Sequence, residues 1–268
     1  MNGLKEAVIL GIIQGATEFL PISSSGHLVL VSALFNLKIP NLSFTLGLHA
    51  GTLLSLIVYF YREVIGLLKG FITIFKQKKT EEEKFYQRLL LMIIIAVIPA
   101  GIAGVLFSKR VDLLFQDPKK VSYLFFITAA FLVLASILSN KNKRTLKDIN
   151  QIDAIIVGIF QIFALPPGIS RSGSTITGGI ISGLDKDSAS RFSFLIAIPV
   201  ILGATLLEVR GNVLGTFTLL DLLIGILVSF IVGLISLWIF FPLIKKTNFY
   251  VFAGYCIFIG LFGLIFIK

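Results

Sequence analysis

Charge is what this chain has least of. Only 14% of its 268 residues are Asp, Glu, Lys or Arg, against 56% hydrophobic, and the mean hydropathy is +0.96. Such a composition excludes a soluble domain of ordinary make-up and makes the bilayer the solvent. Cysteine is nearly absent: Cys256 stands alone in an apolar stretch, where it reads as packing and leaves the redox compartment open. Met1–Gln14 lacks the basic start and small-residue cleavage site of a cleavable signal. Acid is scarcer than base, leaving a net charge of +10. That excess calls for no nucleic acid, because positive-inside bias and attraction to anionic lipid account for it.

What is present is a series of long apolar runs. A spanning helix needs about 20 mainly apolar residues, and six stretches qualify without an interior charge: Phe44–Tyr61, Leu89–Phe107, Val121–Ser139, Phe192–Leu207, Leu222–Phe241 and Phe249–Ile267. Two more apolar regions, Leu4–Phe35 and Ile149–Gly183, are broken near their middles by Pro21-Ile-Ser-Ser-Ser-Gly26 and Pro166-Pro-Gly-Ile-Ser-Arg-Ser-Gly173. Irregular backbone at membrane depth is tolerated only inside protein or along a wet cavity. Both regions therefore read as re-entrant hairpins of two half-helices.

The hairpins resemble each other. Gly11-Ile-Ile-Gln14 matches Gly158-Ile-Phe-Gln161, and the same offset lays Ile22-Ser-Ser-Ser-Gly26 on Ile169-Ser-Arg-Ser-Gly173. Gly51-Thr-Leu-Leu54 likewise resembles Ala204-Thr-Leu-Leu207. The expected fold is an all-α integral membrane protein in a single membrane domain, 1–268. It is an inverted repeat of two units, about 1–139 and 149–268, each a re-entrant helical hairpin plus three transmembrane helices. Three is odd, so the second unit lies upside down and the broken helices meet near the midplane. Loops 62–88, 140–148, 184–191 and 242–248 carry 15 Lys and Arg, and the opposite side carries 8. The richer side is expected in the cytoplasm, with both termini extracytoplasmic and the first hairpin entering from outside. The Lys76–Lys84 stretch reads as a solvated loop.

Four ionisable residues remain at membrane depth, Glu18, His27, His49 and Arg171, and such groups mark a site by default. Gln14 and Glu18, four apart, share a helix face; Pro21 ends that half-helix. Ser23, Ser24 or Ser25 can cap the next one, and Ser24 and His27 share its face. In the second unit Pro167-Gly168 supplies the turn, and Ser170, Arg171, Ser172, Ser174 and Thr175 crowd the opening of the following half-helix. Two helix N-termini then face one spot, an anion site furnished with hydroxyls and a planar guanidinium suited to phosphate. Glu18 aligns with Leu165, Ser24 with Arg171 and His27 with Ser174. One unit thus brings acid, hydroxyl and imidazole while the other brings the cation, a division useful for phosphoryl transfer. The plain alternatives are a structural Glu18–Arg171 pair, a satisfied core His27, serines that only cap, and a His49 that packs or hydrogen-bonds behind the site. Gln161 reads as helix-to-helix glue.

Gln14-Gly-Ala-Thr-Glu18, then Phe-Leu-Pro-Ile-Ser-Ser-Ser-Gly-His27, Pro167-Gly-Ile-Ser-Arg-Ser-Gly-Ser-Thr175 and Arg191-Phe-Ser-Phe-Leu-Ile-Ala-Ile-Pro199 resemble the undecaprenyl-diphosphatase family linked to bacitracin resistance, over essentially the whole chain. The resemblance implies hydrolysis of undecaprenyl diphosphate to the monophosphate for recycling of the cell-wall lipid carrier, in the bacterial plasma membrane. It also implies dependence on a divalent metal, Mg2+ or Ca2+, with activity carried by Glu18, Ser24, His27, Ser170, Arg171 and Thr175. The catalytic set is therefore Glu18, Ser24, His27 and Arg171, the substrate-binding set Gln14, Ser23, Ser25, Gly168, Ser170, Ser172 and Thr175, and the metal ligand Glu18. The expected partners are the lipid diphosphate and membrane lipid, with a homodimer allowed. Ser24 is the expected nucleophile, with His27 taking its proton or holding its orientation, and Glu18 binding the metal beside Gln14 or acting as base. Attack by His27 or by water stays open. A lipid or anion transporter, a phosphatidic acid phosphatase relative lacking its second histidine, and a membrane scaffold are the other readings.

Overall fold

The computed structural model describes residues 3–35, 37, 42–139, 143–208 and 217–267, with the side chains of Leu42, Ser43, Leu207 and Glu208 outside that description. Lys38, Lys141, Arg210 and Lys268, counted in the charge asymmetry, lie outside the described residues. The chain is helical throughout these segments: α1 (Gly3–Thr17), α2 (Ser24–Leu34), α3 (Leu42–Tyr59), α4 (Tyr61–Ile72), α5 (Glu81–Phe115), α6 (Pro118–Ser139), α7 (Gln151–Phe163), α8 (Arg171–Ile181), α9 (Lys186–Glu208), α10 (Leu219–Lys246) and α11 (Phe249–Phe266). Five of them, α5, α6, α9, α10 and α11, are long and apolar enough to cross a bilayer, and α3 joins them when taken with α4. Five of the six expected spans are therefore present outright, and the first is met by α3 only in combination with α4, in a multi-pass membrane protein.

The two broken regions are helical hairpins. At 1.5 Å per residue, α1 (15 residues) and α7 (13 residues) reach only about 20 Å, and α2 and α8 (11 residues each) only about 16 Å, well short of a roughly 30 Å hydrocarbon core. Packing is reciprocal between the units. The first helix of hairpin one, α1, lies on α10, while its counterpart α7 lies on α5; α3 meets α9 and α6 meets α11. Small residues permit both hairpin contacts. A Cβ on Gly11 would sit 2.9 Å from the Gly225 carbonyl oxygen, and one on Gly158 would sit 2.8 Å from that of Ala96. These two glycines are the ones the internal alignment pairs, so the repeat is visible as a repeated close approach of backbones.

One element departs from expectation. The chain turns by 82° between α3 and α4, so span one ends at Phe60 and a further helix fills the first part of the 62–88 segment. Tyr61, Ile65, Leu68 and Ile72 are exposed along one side of α4, at helical spacing, while Gly66 and Gly70 seat it on Tyr86 of α5. A helix turned away from the direction of the preceding one, with an exposed apolar stripe, has the pattern of a helix suited to a membrane interface. The Lys76–Lys84 stretch is likewise not all loop. Thr80 and Glu83 form a capping box, Glu83 N donating to Thr80 Oγ1 (3.2 Å) and Thr80 N to Glu83 Oε2 (2.7 Å), so α5 begins at Glu81.

The loops expected on the basic side do meet. Arg191 bonds Glu63 (3.1 Å) and Asp187 (2.8 Å), Lys245 lies 3.3 Å from Asp187, and Lys186 Nζ donates to the Thr247 carbonyl at 3.2 Å. Arg144 donates to the Ser182 carbonyl (2.7 Å) and forks onto Asp153 at 3.0 and 2.6 Å. One end of the molecule therefore gathers segments 62–88, 143–148, 184–191 and 242–248.

Candidate active site

The site is assembled where the two hairpin turns interlock. Pro21 stops α1, and the chain reaches α2 through Ser23, whose φ of 67° makes it the one non-glycine residue with positive φ among those described. Holding a serine there costs of order 1–3 kcal/mol and marks a position over-determined by its surroundings. Those surroundings are visible. Ser23 Oγ accepts from Gly26 N (3.3 Å), capping α2, and from Gly168 N (3.1 Å) in the opposite turn. Gly168 itself has φ +98°, and a Cβ there would lie 2.6 Å from the Val121 carbonyl oxygen, so only glycine fits.

Ser170, the repeat partner of Ser23, caps α8 from ordinary extended backbone (φ −71°), accepting from Gly173 N at 3.0 Å. Thr128 of α6 ties this turn down, donating to the Gly168 carbonyl (2.8 Å) and accepting from Ser170 N (2.9 Å). Ser172 Oγ crosses to the Leu20 carbonyl (3.1 Å).

Across this interlock lies a cluster of buried charge. Glu18 Oε2 accepts from Ser24 Oγ (2.5 Å) and from Gln14 Nε2 (2.9 Å), while Glu18 Oε1 accepts from Arg171 Nη2 (2.5 Å). His49 Nε2 stands 3.5 Å from Glu18 Oε2, its ring fixed by Nδ1 donating to the Thr45 carbonyl at 2.8 Å. The Glu18 side chain is 5% exposed and that of Arg171 15%, so the pair is held largely away from water. Arg171 Nη1 is buried and has no partner. It is a free charged donor beside a carboxylate whose two oxygens are already engaged.

The amides of Ser24 and Ser25 open α2 and those of Arg171 and Ser172 open α8, where the first turn of a helix has no internal acceptors. A cavity of about 650 Å³ reaches this place. Glu18, Ser23, Ser24, Ser25, Ser170, Arg171 and His49 line its polar end. Its other end is apolar and small-sided, running between α5 (Val97, Ala100, Gly101, Gly104) and α9 (Pro199, Val200, Gly203, Ala204). The arrangement offers a hydroxyl aimed at a carboxylate, an unpaired guanidinium arm, two helix openings, and a trough for something long and apolar.

Six of the expected residues, Glu18, Ser23, Ser24, Ser25, Ser170 and Arg171, thus come together on the cavity wall. Gln14 sits behind Glu18 as its hydrogen-bond donor. Gly168, Ser172 and Thr175 hold the turns: Thr175 Oγ1 donates to the Arg171 carbonyl (2.8 Å) and lies 2.6 Å from Ser193 Oγ. The expected pairing of His27 with Ser24 is corrected. His27 Nδ1 faces the Ser23 carbonyl (2.7 Å), Nε2 faces the Tyr255 hydroxyl (2.9 Å), and the ring stacks on Tyr255 at 5.6 Å. A carbonyl only accepts, so Nδ1 carries a proton and the ring is turned into the α11 contact; Ser24 is captured by Glu18 instead.

The pairing of Gln161 with neighbouring helices is corrected too, since the residue lines the cavity and neither of its buried polar atoms finds a partner. Tyr255, Thr128 and Ser193 were not singled out from the sequence. Nothing local distinguishes a hydroxyl inside an apolar span, and only the tertiary pairing gives these their part.

Among the described residues Glu18 is the one carboxylate lining the cavity, so the chain alone does not build a cage for Mg2+ or Ca2+. No group of three or more His, Cys, Asp or Glu converges among the described residues. Glu18, with Gln14 beside it, would be the protein's oxygen contribution to such a cation, and the remaining ligands would have to come from substrate phosphate and water.

The family model described as Bacitracin resistance protein BacA matches residues 7–262. The undecaprenyl-diphosphatase of Thermosipho africanus (strain TCF52B) is 44% identical over 254 residues, covering 95% of this chain and 96% of that protein. Undecaprenyl-diphosphatase 1 of Shouchella clausii (strain KSM-K16) is 38% identical over 267 residues, covering 98% and 96%. The undecaprenyl-diphosphatase of Thermosipho melanesiensis (strain DSM 12029 / CIP 104789 / BI429) is 40% identical over 258 residues, covering 96% and 97%. With the match running through both hairpins and all six spans, the chain belongs to the bacitracin resistance protein BacA family.

Proposed function

We propose that this protein hydrolyses undecaprenyl diphosphate to undecaprenyl phosphate and inorganic phosphate, recycling the lipid that carries cell-wall precursors. The observation that carries the reading is the contact of Ser24 Oγ with Glu18 beside the unpaired Nη1 of Arg171. Phosphoryl transfer asks chiefly for an aligned nucleophile and fixed positive charge around the phosphate. Ser24 attacks the terminal phosphorus, its proton passing to Glu18. The bond from that phosphorus to the bridging oxygen breaks and the prenyl monophosphate leaves; water then attacks the phosphoserine, releasing inorganic phosphate and restoring the hydroxyl. Arg171 Nη1 and the free amides opening α2 and α8 receive the phosphoryl oxygens. The trough between α5 and α9, with open space beside Gly101 and Gly203 in its lining, takes the prenyl chain.

His27 acts behind the site, fixing the Ser23 carbonyl and with it the strained entry into α2. A divalent cation belongs with the diphosphate itself, not with a cage provided by the chain. The hydrolytic centre faces the outer leaflet and both termini are extracytoplasmic, as the basic loops gathered at the other end support. A transport reading explains the repeat, but it gives no use to a hydroxyl hydrogen-bonded to a carboxylate.

The test is phosphate release from a long-chain prenyl diphosphate by purified protein in detergent. Turnover by the parent and its loss in Ser24→Ala, together with an acid-stable phosphoserine trapped on Ser24, are expected. Acid-labile phosphate on His27, or substantial turnover by Ser24→Ala, would overturn the assignment.

A further inference from the structure

Gln161 is a cost to the folded protein with no return in the fold. It lies on the inner face of α7, 2% exposed, and both its amide nitrogen and its amide oxygen lack a partner. A buried polar group left unmade is a net penalty, and such groups persist where a ligand completes them. The same residue lines the cavity with Arg171, whose Nη1 is the other buried donor there without an acceptor. Its repeat partner Gln14 behaves differently, spending its amide nitrogen on Glu18 (2.9 Å). No carboxylate stands at the equivalent place in the second unit, because Leu165 replaces Glu18. Two residues of the second unit that line one chamber, Gln161 of α7 and Arg171 of α8, thus each carry a buried donor without an acceptor.

We infer that Gln161 binds the phosphate that stays on the lipid, donating from Nε2 to one of its oxygens. The inference rests on the phosphatase reading above. The direction follows from packing. Ser24 and Glu18 define where the departing phosphoryl group is attacked, whereas α7 lies against α5, the helix that forms one wall of the apolar trough. Gln161, on the helix packed against that wall and lining the same cavity as Arg171, is assigned on this reading to the phosphate that carries the chain. A diphosphate reaches both stations, a free phosphate only the first. Gln161 is in this sense a specificity residue: it lets the site hold the retained phosphate by a group that cannot itself accept a proton or attack.

Gln161→Met and Gln161→Leu keep the volume and remove the donors. A hydrogen bond to a charged acceptor is worth about 1.5–3 kcal/mol, so KM for a prenyl diphosphate should rise roughly tenfold or more, with a smaller change in kcat. Inhibition by the two products separates the stations. The inhibition constant of the prenyl monophosphate should rise by a similar factor, while that of inorganic phosphate stays within about twofold. The thermal midpoint of the unliganded variants should not fall, since no bond of the fold is lost. Unchanged KM and unchanged inhibition by the lipid monophosphate in an active variant would overturn the assignment, and so would equal weakening of both products. Absence of phosphate release by the parent protein would instead remove the phosphatase reading itself.

Discussion

Glu18→Gln separates two parts that one carboxylate plays. In the structure Glu18 receives hydrogen bonds from Ser24, Gln14 and Arg171, and it is the counter-charge of a guanidinium that is only 15% exposed. The amide keeps the size but deletes the charge, and one of its ends becomes a donor among donors. Breaking a buried pair by neutralising one partner costs about 3–5 kcal/mol, which for a chain of this size lowers a denaturation midpoint by about 10 °C. Losing the proton acceptor of the nucleophile costs a further hundred- to ten-thousandfold in rate, or about 3–5.5 kcal/mol in the barrier.

The two effects are measured apart: the first by thermal denaturation in detergent, the second by phosphate released per folded molecule well below that midpoint. Glu18→Asp is the companion variant. It keeps the charge but withdraws the carboxylate by a methylene, so it should recover most of the thermal midpoint and little of the rate. A Glu18→Gln protein that melts early yet turns over within tenfold of the parent would refute the base role and leave Glu18 as a counter-ion for Arg171.

Arg171→Lys should lose roughly a hundred- to thousandfold in turnover, because an ammonium cannot bond Glu18 and present a second planar arm to phosphate together; phosphate release checks it, and near-normal turnover would make Arg171 structural. Gly101→Leu and Gly203→Leu place side chains where a Cβ meets nothing within 4 Å, so the fold should persist while KM rises for long prenyl diphosphates and rises less for short ones; equal effects on both lengths would deny the trough its occupant. Tyr255→Phe removes one hydrogen bond from His27 and should cost less than tenfold in turnover, whereas loss matching that of Ser24→Ala would return His27 to the reacting centre. A cysteine at exposed Lys119 should label in intact cells with an impermeant thiol reagent and one at exposed Lys147 should not, Cys256 being buried; the reverse pattern would invert the orientation.

The architecture was legible because its signals are long. Six apolar runs and two Pro- and Ser-broken ones carry enough residues to stand out against any local accident, and the 147-residue offset predicts which glycines meet the opposite unit. The site was legible in its members, since ionisable groups are so rare at membrane depth in this chain that Glu18, His27, His49 and Arg171 stood out by scarcity, and Ser24 by its place in the serine-rich turn. Their partners were another matter. Spacing of three along α2 set Ser24 beside His27, but the ring is claimed by the Ser23 carbonyl and by Tyr255, more than 200 residues away in the chain. Such competition is settled by tertiary contacts that periodicity does not carry. The helix beyond the bend at Phe60 was hidden because Arg62 and Glu63 end the apolar run at Tyr61, and only the alternation of Tyr61, Ile65, Leu68 and Ile72 with Arg62, Glu63 and Lys69 marks an amphipathic helix after it.

The departures from symmetry follow one logic. A duplicated hairpin delivers two equivalent helix openings to one place, which suffices to hold an anion but treats both its ends alike. Cleavage requires that they differ. Ser24 against Arg171 puts a nucleophile on one side of the interlock and a cation on the other, and Glu18 against Leu165 supplies a single acid that touches both. Ser23 and Ser170 cap their helices in the same way, yet only Ser23 is forced to φ 67°, and only the first unit carries an imidazole, in place of Ser174, to hold that turn. The strain therefore falls on the unit that bears the hydroxyl. The second unit keeps the ordinary cap, the unpaired guanidinium arm and the unpaired Gln161, a surface of donors with no acid of its own. On the proposed mechanism attack is confined to one face of the bound diphosphate and retention to the other, which would give a symmetric scaffold a direction of reaction.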